Sequence, residues 1–474
     1  MTRPDRTRPA LALRATSRVI AGAVAAAVAL APGVGTAQTL REAVRAALTE
    51  NPTARASNAE VKAAALELLQ LREEFLPRLD LRAGVGGAYY DDPGRLPPDD
   101  NEETTFDRSV SLAAEYTLFD GFRRANRVYR RAAVLDGSIL RLLDASETLG
   151  LSAVRAYVDV VRHLELLAVS DENVATHEEI KRRVDELVAG GRQPASAGFE
   201  IEERLLSARL ARLDVLNALE DARVRFEAVV GRPPGDGLLV PRIAGLPGSR
   251  EALVAAAVRN SYRARAAAAR IAERRFEKAV REGDRLPEVS LRAGVEQGWD
   301  RFGTEGDEFD ATLGIALEWE LYAGGRKAQS GALTERARLA QARRDEIVRE
   351  VQEFAGEVWN GYQTGIDRVL LLEVQRQAAR NVVVQYREEF RAGTRTLIDV
   401  LDAERSFFNV RFEEVSARAA LDFAGYRMLA AQSRLASHFG IDPAEIPLAP
   451  GFVAFATDAR IPSAVFDTEI RALE

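Results

Sequence analysis

The segment AGTRTLIDVLDAERSFFNVRF, residues 392–412, holds the most suggestive group of ionisable side chains in the chain. Arg395 is followed by Asp399 four residues later and by Asp402 seven residues later, so the three share one face if the segment is helical. A plainer interpretation stays open beside any functional one. Thr396 and Asp399 fit a capping box that starts a helix, whereas Asp402 lies too far along to cap.

The rest of the chain offers no catalytic set. It has no phosphate-binding loop and no Ser/His/Asp or Cys/His arrangement, and its three histidines lie far apart in the sequence. It has no cysteine, which excludes disulfides, thiol chemistry, thiolate metal sites and a lipid-modified N-terminal cysteine. The net charge of −7 argues against a nucleic-acid partner. We therefore expect no enzyme activity, no cofactor and no metal.

The N-terminal residues 1–37 have the features of a signal peptide. Five arginines precede the apolar run VIAGAVAAAVAL (19–30), and GTA (35–37) supplies the small residues of a cleavage site. A retained membrane anchor is the competing interpretation, although the run is short and ends close to Pro-Gly. Since no later apolar run reaches 18 residues, the sequence predicts an exported chain without a transmembrane helix.

The remainder of the chain is duplicated. LPRLDLRAGVG (76–86) returns as LPEVSLRAGVE (286–296), and LFDGFRR (118–124) returns as LYAGGRK (321–327). AGGR (189–192) returns in the same way as AGTR (392–395). This spacing predicts two structural repeats, 38–240 and 241–440, followed by a C-terminal tail at 441–474.

Each repeat contains two segments in which apolar and polar residues alternate with a period of two. We predict strands at 78–90, 108–119, 288–299 and 309–321. About 12 residues suffice to cross a bilayer when a strand is tilted, and aromatic residues lie near the ends of the apolar faces. A water-soluble sandwich remains the alternative, but its core face seldom carries so many glycines and alanines.

Long helical runs without proline follow each strand pair. They are predicted at 122–189, 195–230, 326–391 and 397–440, with tip turns at 189–196 and 392–396. About 60 residues at about 1.5 Å each extend some 90–100 Å, which fits coiled-coil packing rather than a compact domain. Four strands are too few to close a barrel, and open strand edges are not tolerated in lipid. Several chains must therefore share one barrel.

With these features in place, the chain resembles the TolC family of outer-membrane export ducts over nearly all of its length after the signal peptide. The resemblance is carried by TLREAVRAALTENP (39–52), LFDGF (118–122), LYAGGR (321–326) and above all GTRTLIDVLDAERSFFNVR (393–411). Two departures stand out. Phe122 replaces a second glycine, and the first tip turn has Ser196 where some relatives carry an aspartate.

The resemblance implies a mixed α/β membrane protein that assembles as a homotrimer. Four strands from each chain would form a twelve-stranded barrel in the outer membrane of a Gram-negative cell, continuing into a helical coiled-coil barrel in the periplasm. Its tip would dock with a periplasmic adaptor, also called a membrane fusion protein, and an ABC or RND-type inner-membrane pump. The expected function is type I protein secretion or general export, including multidrug efflux. A trimeric surface stalk without a conducting lumen is the alternative.

The resemblance also assigns roles at the tip. Inward-coiling helices would close the duct there through polar links, which places Arg395, Asp399 and Asp402 at a periplasmic gate. In a trimer the aspartates would crowd six carboxylates at a constriction, an arrangement that favours cations. Ser196 leaves Arg395 without an acidic partner in the first turn. The expected adaptor contacts are the turn residues Gly190, Gly191, Gly393 and Thr394, of which Gly190 and Gly393 would allow left-handed backbone.

Overall fold

The computed structural model describes residues 38–91, 102–300 and 306–441. The signal peptide predicted at 1–37 and all but the first residue of the tail lie outside these ranges. The helices of the described part are α1 (Leu40–Glu50), α2 (Pro52–Glu73), α3 (Arg123–Ala189), α4 (Ala195–Val230), α5 (Arg250–Asn260), α6 (Tyr262–Gly283), α7 (Arg326–Arg391), α8 (Leu397–Ala431) and α9 (Leu435–His438). The strands are β1 (Arg78–Asp91), β2 (Glu102–Phe119), β3 (Glu288–Trp299) and β4 (Asp307–Glu318).

The four strands form one antiparallel sheet in the order β1-β2-β3-β4. All four predicted strands are present, although β1 ends slightly later, at Asp91, β4 begins slightly earlier, at Asp307, and two other ends differ more. β2 begins six residues early, at Glu102, because its backbone pairs with β1 as far as Asp91. β4 ends at Glu318 rather than at residue 321, since β3 begins opposite it at Glu288 and offers no partner further on. Trp319 therefore lies outside the sheet.

The period-two pattern gives the sheet one apolar and one polar face. The pairing places Leu81, Leu112, Val295 and Ala311 side by side across all four strands. The neighbouring row, on the opposite face, contains Arg82, Ser111, Glu296 and Asp310. Large apolar side chains of the first face are exposed, with Leu81 at 71% and Leu313 at 77%. No other element of the described ranges covers that face.

The helices continue from the sheet and pack side by side as a wall. Next to the sheet, α2, α3, α6 and α7 pack side by side in that order. Further away the order is α4, α3, α8 and α7. At 67 and 66 residues, α3 and α7 are each about 100 Å long. None of the helices in the described part combines the length and the apolar character needed to cross a membrane.

The junction between sheet and helices requires close backbone approach. A Cβ on Gly121 would lie 2.5 Å from the carbonyl oxygen of Gly283, so only glycine fits at that position. The next residue, Phe122, adopts the left-handed region at φ 64°, as its counterpart Gly325 does at φ 83°. The departure from glycine noted in the sequence thus leaves a bulky residue in a strained conformation.

Small helices and the linker between repeats form a belt on one face of this wall. Its core joins α1, α3, α4, α8 and α9 around the fully buried Tyr157, Phe226 and Tyr426. The Tyr157 hydroxyl donates to the carbonyl of Gln38 at 3.0 Å, and the Tyr426 hydroxyl donates to that of Pro241 at 2.9 Å. These bonds attach the N-terminus and the linker to the long helices.

The last long helix is shorter than predicted. α8 ends at Ala431 rather than continuing to residue 440, because Ser433 turns the backbone left-handed at φ 53°. The chain resumes as α9, whose first backbone N–H groups, from Leu435 and Ala436, donate to the carboxylate of Glu147 at 2.9 and 3.1 Å. A buried acid on α3 thereby caps α9.

Candidate functional site

The two tip turns lie at the same end of the molecule, where the α3/α4 and α7/α8 hairpins meet. Val184, Ala197, Ile201, Leu397 and Leu401 form one buried apolar cluster there. It contains residues of α3, α4 and α8, with Phe390 of α7 packed against it. The polar groups of the candidate gate are therefore arranged around a shared apolar core.

Arg395 pairs within its own turn. Its Nε donates to Glu389 Oε2 at 2.9 Å, and its guanidinium lies 4.0 Å from the centre of the Tyr386 ring. Hydrogen bonds from Gln385 and from Arg395 hold the pKa of Glu389 below its usual range. The first turn is not involved, so the missing acid at Ser196 has no consequence for Arg395 in this conformation.

Asp399 caps the helix that follows the turn. The Thr396 hydroxyl donates to Asp399 Oδ2 at 2.7 Å and accepts from the Asp399 backbone N–H at 3.3 Å. The carboxylate also accepts from the Thr396 backbone N–H at 3.4 Å, which completes a capping box. The plainer of the two interpretations of T-L-I-D is thus confirmed for this pair.

Asp402 reaches a different hairpin. Its carboxylate lies 3.2 Å from Arg405 on the same helix and 3.8 Å from Arg204 of α4. Within the described residues, no hydrogen bond or ion pair joins Arg395, Asp399 and Asp402 to one another. The structure places the three at one end of the molecule but gives each its own partner.

The left-handed glycines of the two turns are Gly191, at φ 69°, and Gly393, at φ 78°. The expectation for Gly190 is wrong, because its φ is −83° and it only ends α3. The reason is a difference in helix length, since α3 has 67 residues and α7 has 66. The structural counterpart of Gly393 is therefore Gly191, one residue later than the letters AGGR and AGTR suggest.

Sequence reasoning missed the ion pairs that join α7 to α8. Glu404 and Glu414 are only 5% exposed and pair with Arg387 and Arg376, the latter at 2.7 Å. A glutamate on the buried face of a helix was the only available signal. The contacts between the hairpins differ, because the carboxylates of Arg204–Asp402 and Arg411–Glu172 are 47% and 62% exposed.

In the described ranges, no group of three or more His, Asp or Glu side chains is placed to hold a metal ion. What the tip offers is a set of breakable polar links. Those within α7/α8 include buried carboxylates, while those between the hairpins are accessible to solvent.

Comparison with known proteins gives consistent matches. The family described as outer membrane efflux protein matches residues 43–232 and 253–431. The Outer membrane efflux protein BepC of Brucella suis biovar 1 (strain 1330) is 26% identical over 439 residues, covering 89% of this chain and 92% of the relative. The Alkaline protease secretion protein AprF of Pseudomonas aeruginosa is 25% identical over 410 residues, covering 82% of each.

Solved structures show the same fold. The outer-membrane channel OprN superposes with a TM-score of 0.72 at 20% sequence identity, covering 83% of this chain and 90% of that one.

Proposed function

The chain belongs to the outer membrane efflux protein family, and we propose that it is the outer-membrane duct of a tripartite export system. The members of this family are channel proteins and not enzymes. This chain accordingly resides in the outer membrane, with its helical part in the periplasm. We also propose that three copies assemble, that the tip is gated and that the duct serves protein secretion or general export. The observation that carries the proposal is the sheet, which has one exposed apolar face, one polar face and two open edges.

Open edges support a ring of copies. Among the residues that the structure describes, β1 and β4 each have no neighbouring strand on one side. The outermost helices of each row likewise have one side without a packed neighbour in the described part of the chain. These helices are α2 and α7 near the sheet and α4 and α7 nearer the tip. Exposed apolar residues line these outer helices, among them Leu210 on α4 at 63% and Leu371 on α7 at 70%. Three copies would close a twelve-stranded barrel and a helical tube together.

The two faces of the sheet then acquire different surroundings. In a closed barrel the exposed apolar face, with Leu81 and Leu313, lies against lipid. The opposite face surrounds the lumen with Arg82, Ser111 and Thr312. An ion pair of 2.9 Å between Arg292 and Glu115 spans two strands on this face. A polar interior of this kind suits an aqueous passage and would be costly in the packed axis of a surface stalk.

The proposed gate depends on a difference between the ion pairs within the α7/α8 hairpin and the ion pairs that join the two hairpins. Breaking the Arg387–Glu404 pair would leave the buried carboxylate of Glu404 without its partner, so α7 and α8 stay together. The exposed contact between Arg204 and Asp402 costs little to break. We therefore assign opening to movement of the α7/α8 hairpin away from α3/α4, with Asp402 as the released residue. In this proposal Arg395 and Asp399 shape the turn that an adaptor contacts.

The cargo class follows from the partner rather than from the duct. One relative is named for efflux and another for secretion of an alkaline protease, which spans both classes of export. We propose type I protein secretion or general export for this chain, with a periplasmic adaptor and an inner-membrane pump as partners. The adaptor contact would be formed by the turn residues Gly190, Gly191, Gly393 and Thr394.

Single-channel recording of the purified protein in a planar bilayer tests the duct. Our proposal predicts a small conductance that is mostly closed in the absence of adaptor and pump. An inserted trimer that never conducts, even after the gate has been weakened by substitution at Asp402, would contradict the proposal and favour the stalk.

A further inference from the structure

A groove of about 1100 Å³ runs along the helical wall at the level of the belt. It is lined by residues of α3, α4, α7 and α8, which pack in the order α4, α3, α8, α7. A groove that touches all four members of such a row lies on the concave side of the wall. The belt occupies the other side, because Ala153 and Tyr157 of α3 belong to its core while Arg155 and Arg162 of the same helix line the groove.

The groove is strongly basic. Arg155, Arg162, Arg225 and Arg427 line it together with a single carboxylate, that of Asp159. Asp159 already pairs with Arg162 at 2.6 Å and with Arg225 at 3.2 Å. Arg155 and Arg427 form no ion pair with any carboxylate of the described residues. Two guanidinium groups thus remain available to an anion.

Aromatic surface lies beside these cations. Phe354 of α7 and Phe423 of α8 line the same groove, and Phe354 is 38% exposed. The guanidinium of Arg427 lies 5.6 Å from the centre of the Phe354 ring. An apolar ring or chain can pack on the phenylalanines while its acidic group reaches Arg155 or Arg427. The groove therefore combines the two features that amphipathic anions require.

We propose that this groove binds amphipathic anions, molecules that join an apolar body to a carboxylate, sulfate or phosphate. Its use as a contact for passing cargo rests on the proposed function, since the concave side of the wall faces the lumen only in a closed tube. The chemistry of binding does not depend on conduction. A duct with such grooves would retain anionic cargo longer than neutral or cationic cargo of the same size.

The test uses the full-length protein in lipid nanodiscs and 1-naphthalenesulfonate as the probe, titrated calorimetrically with empty nanodiscs as the blank. We expect saturable binding to the wild type. Replacing both Arg155→Gln and Arg427→Gln should weaken it at least about tenfold, because charge-assisted hydrogen bonds are lost. The double Arg→Lys variant keeps the charges and should retain most of the binding, which separates loss of the site from loss of the fold.

Three controls sharpen the result. Arg349→Gln removes an exposed arginine of α7 that does not line the groove, so it should leave binding unchanged. Methanesulfonate, which lacks the ring, and a naphthyl trimethylammonium cation should both bind more weakly than the probe. Absence of saturable binding, or equal weakening by Arg349→Gln and the groove variant, would overturn the proposal. Conductance of the same preparation reports on the duct separately, so the two proposals can fail independently.

Discussion

Asp402→Ala is expected to raise the open probability of the channel. The substitution removes the carboxylate that lies 3.8 Å from Arg204 across the two hairpins and 3.2 Å from Arg405 on its own helix. The capping box of Thr396 and Asp399 stays intact, so α8 still starts in the same place. The variant loses the link between the hairpins and the local pair with Arg405, and only the first of these joins α8 to α4.

The size of the effect follows from exposure. The side chains of Arg204 and Asp402 are 34% and 47% exposed, and exposed ion pairs contribute about 0.2–1 kcal/mol each. Three links in a trimer would then stabilise the closed state by about 0.6–3 kcal/mol. This corresponds to an increase of about 3-fold to about 140-fold in the ratio of open to closed channels. High salt screens exposed charges and should reduce the difference between variant and wild type.

The assay is single-channel recording at low and at high salt, with matched variants. Arg209→Ala breaks an exposed ion pair of 2.8 Å with Glu178, but both partners belong to the α3/α4 hairpin. It should therefore leave the open probability unchanged. Exchanging the two charges, Arg204→Asp with Asp402→Arg, should restore closure. Equal effects of Arg209→Ala and Asp402→Ala, or no effect of Asp402→Ala at any salt concentration, would refute the assignment of the gate.

Three further predictions concern stability. The substitution Thr396→Ala removes the N-cap of α8 and should destabilise the start of that helix by about 1 kcal/mol. Amide hydrogen exchange in the first turn of α8 should therefore become faster, and unchanged exchange there would contradict the capping role. The Phe122→Gly variant should melt at a higher temperature than Phe122→Ala. Both variants lose the ring, but only glycine avoids the free-energy cost of about 1 kcal/mol of a left-handed backbone. The reverse order of melting temperatures would show that Phe122 is not strained. Burial raises the pKa of Glu147 to about 7, although hydrogen bonds from two backbone N–H groups act in the opposite direction. Between about pH 4.5 and pH 7 the folded state therefore keeps a proton on Glu147 that the unfolded state has released. Stability should fall as the pH rises from about 4.5 to about 7, and Glu147→Gln should flatten this slope in melting curves; an unchanged slope would place the titration elsewhere.

The sheet was largely predictable because its signal is local. Alternation in the sequence fixes which face each side chain takes, and all four strands were located to within six residues. Strand ends were less predictable, since they depend on how far the neighbouring strand extends. β4 stops at Glu318 for that reason, although alternation continues to Leu321.

The tip was predictable in position but not in its contacts. Helical spacing correctly indicated that Thr396 and Asp399 could cap α8. It could not reveal that Arg395 folds back onto Glu389 and Tyr386, because that contact depends on the path of the turn. The equivalence of Gly191 with Gly393 was hidden by one extra residue in α3, which comparison of sequence letters alone does not detect.

Accessibility of neighbouring residues on β4 tests the hollow barrel most directly. The chain has no cysteine, so single substitutions at Thr312 and Leu313 can be labelled without background. In intact outer membranes, a small water-soluble maleimide should react with Thr312→Cys, which faces the lumen, and not with Leu313→Cys, which faces lipid. If Leu313→Cys reacted while Thr312→Cys stayed protected, the apolar face of the sheet would be the one in contact with water. That result would contradict the claim that the barrel encloses an aqueous channel.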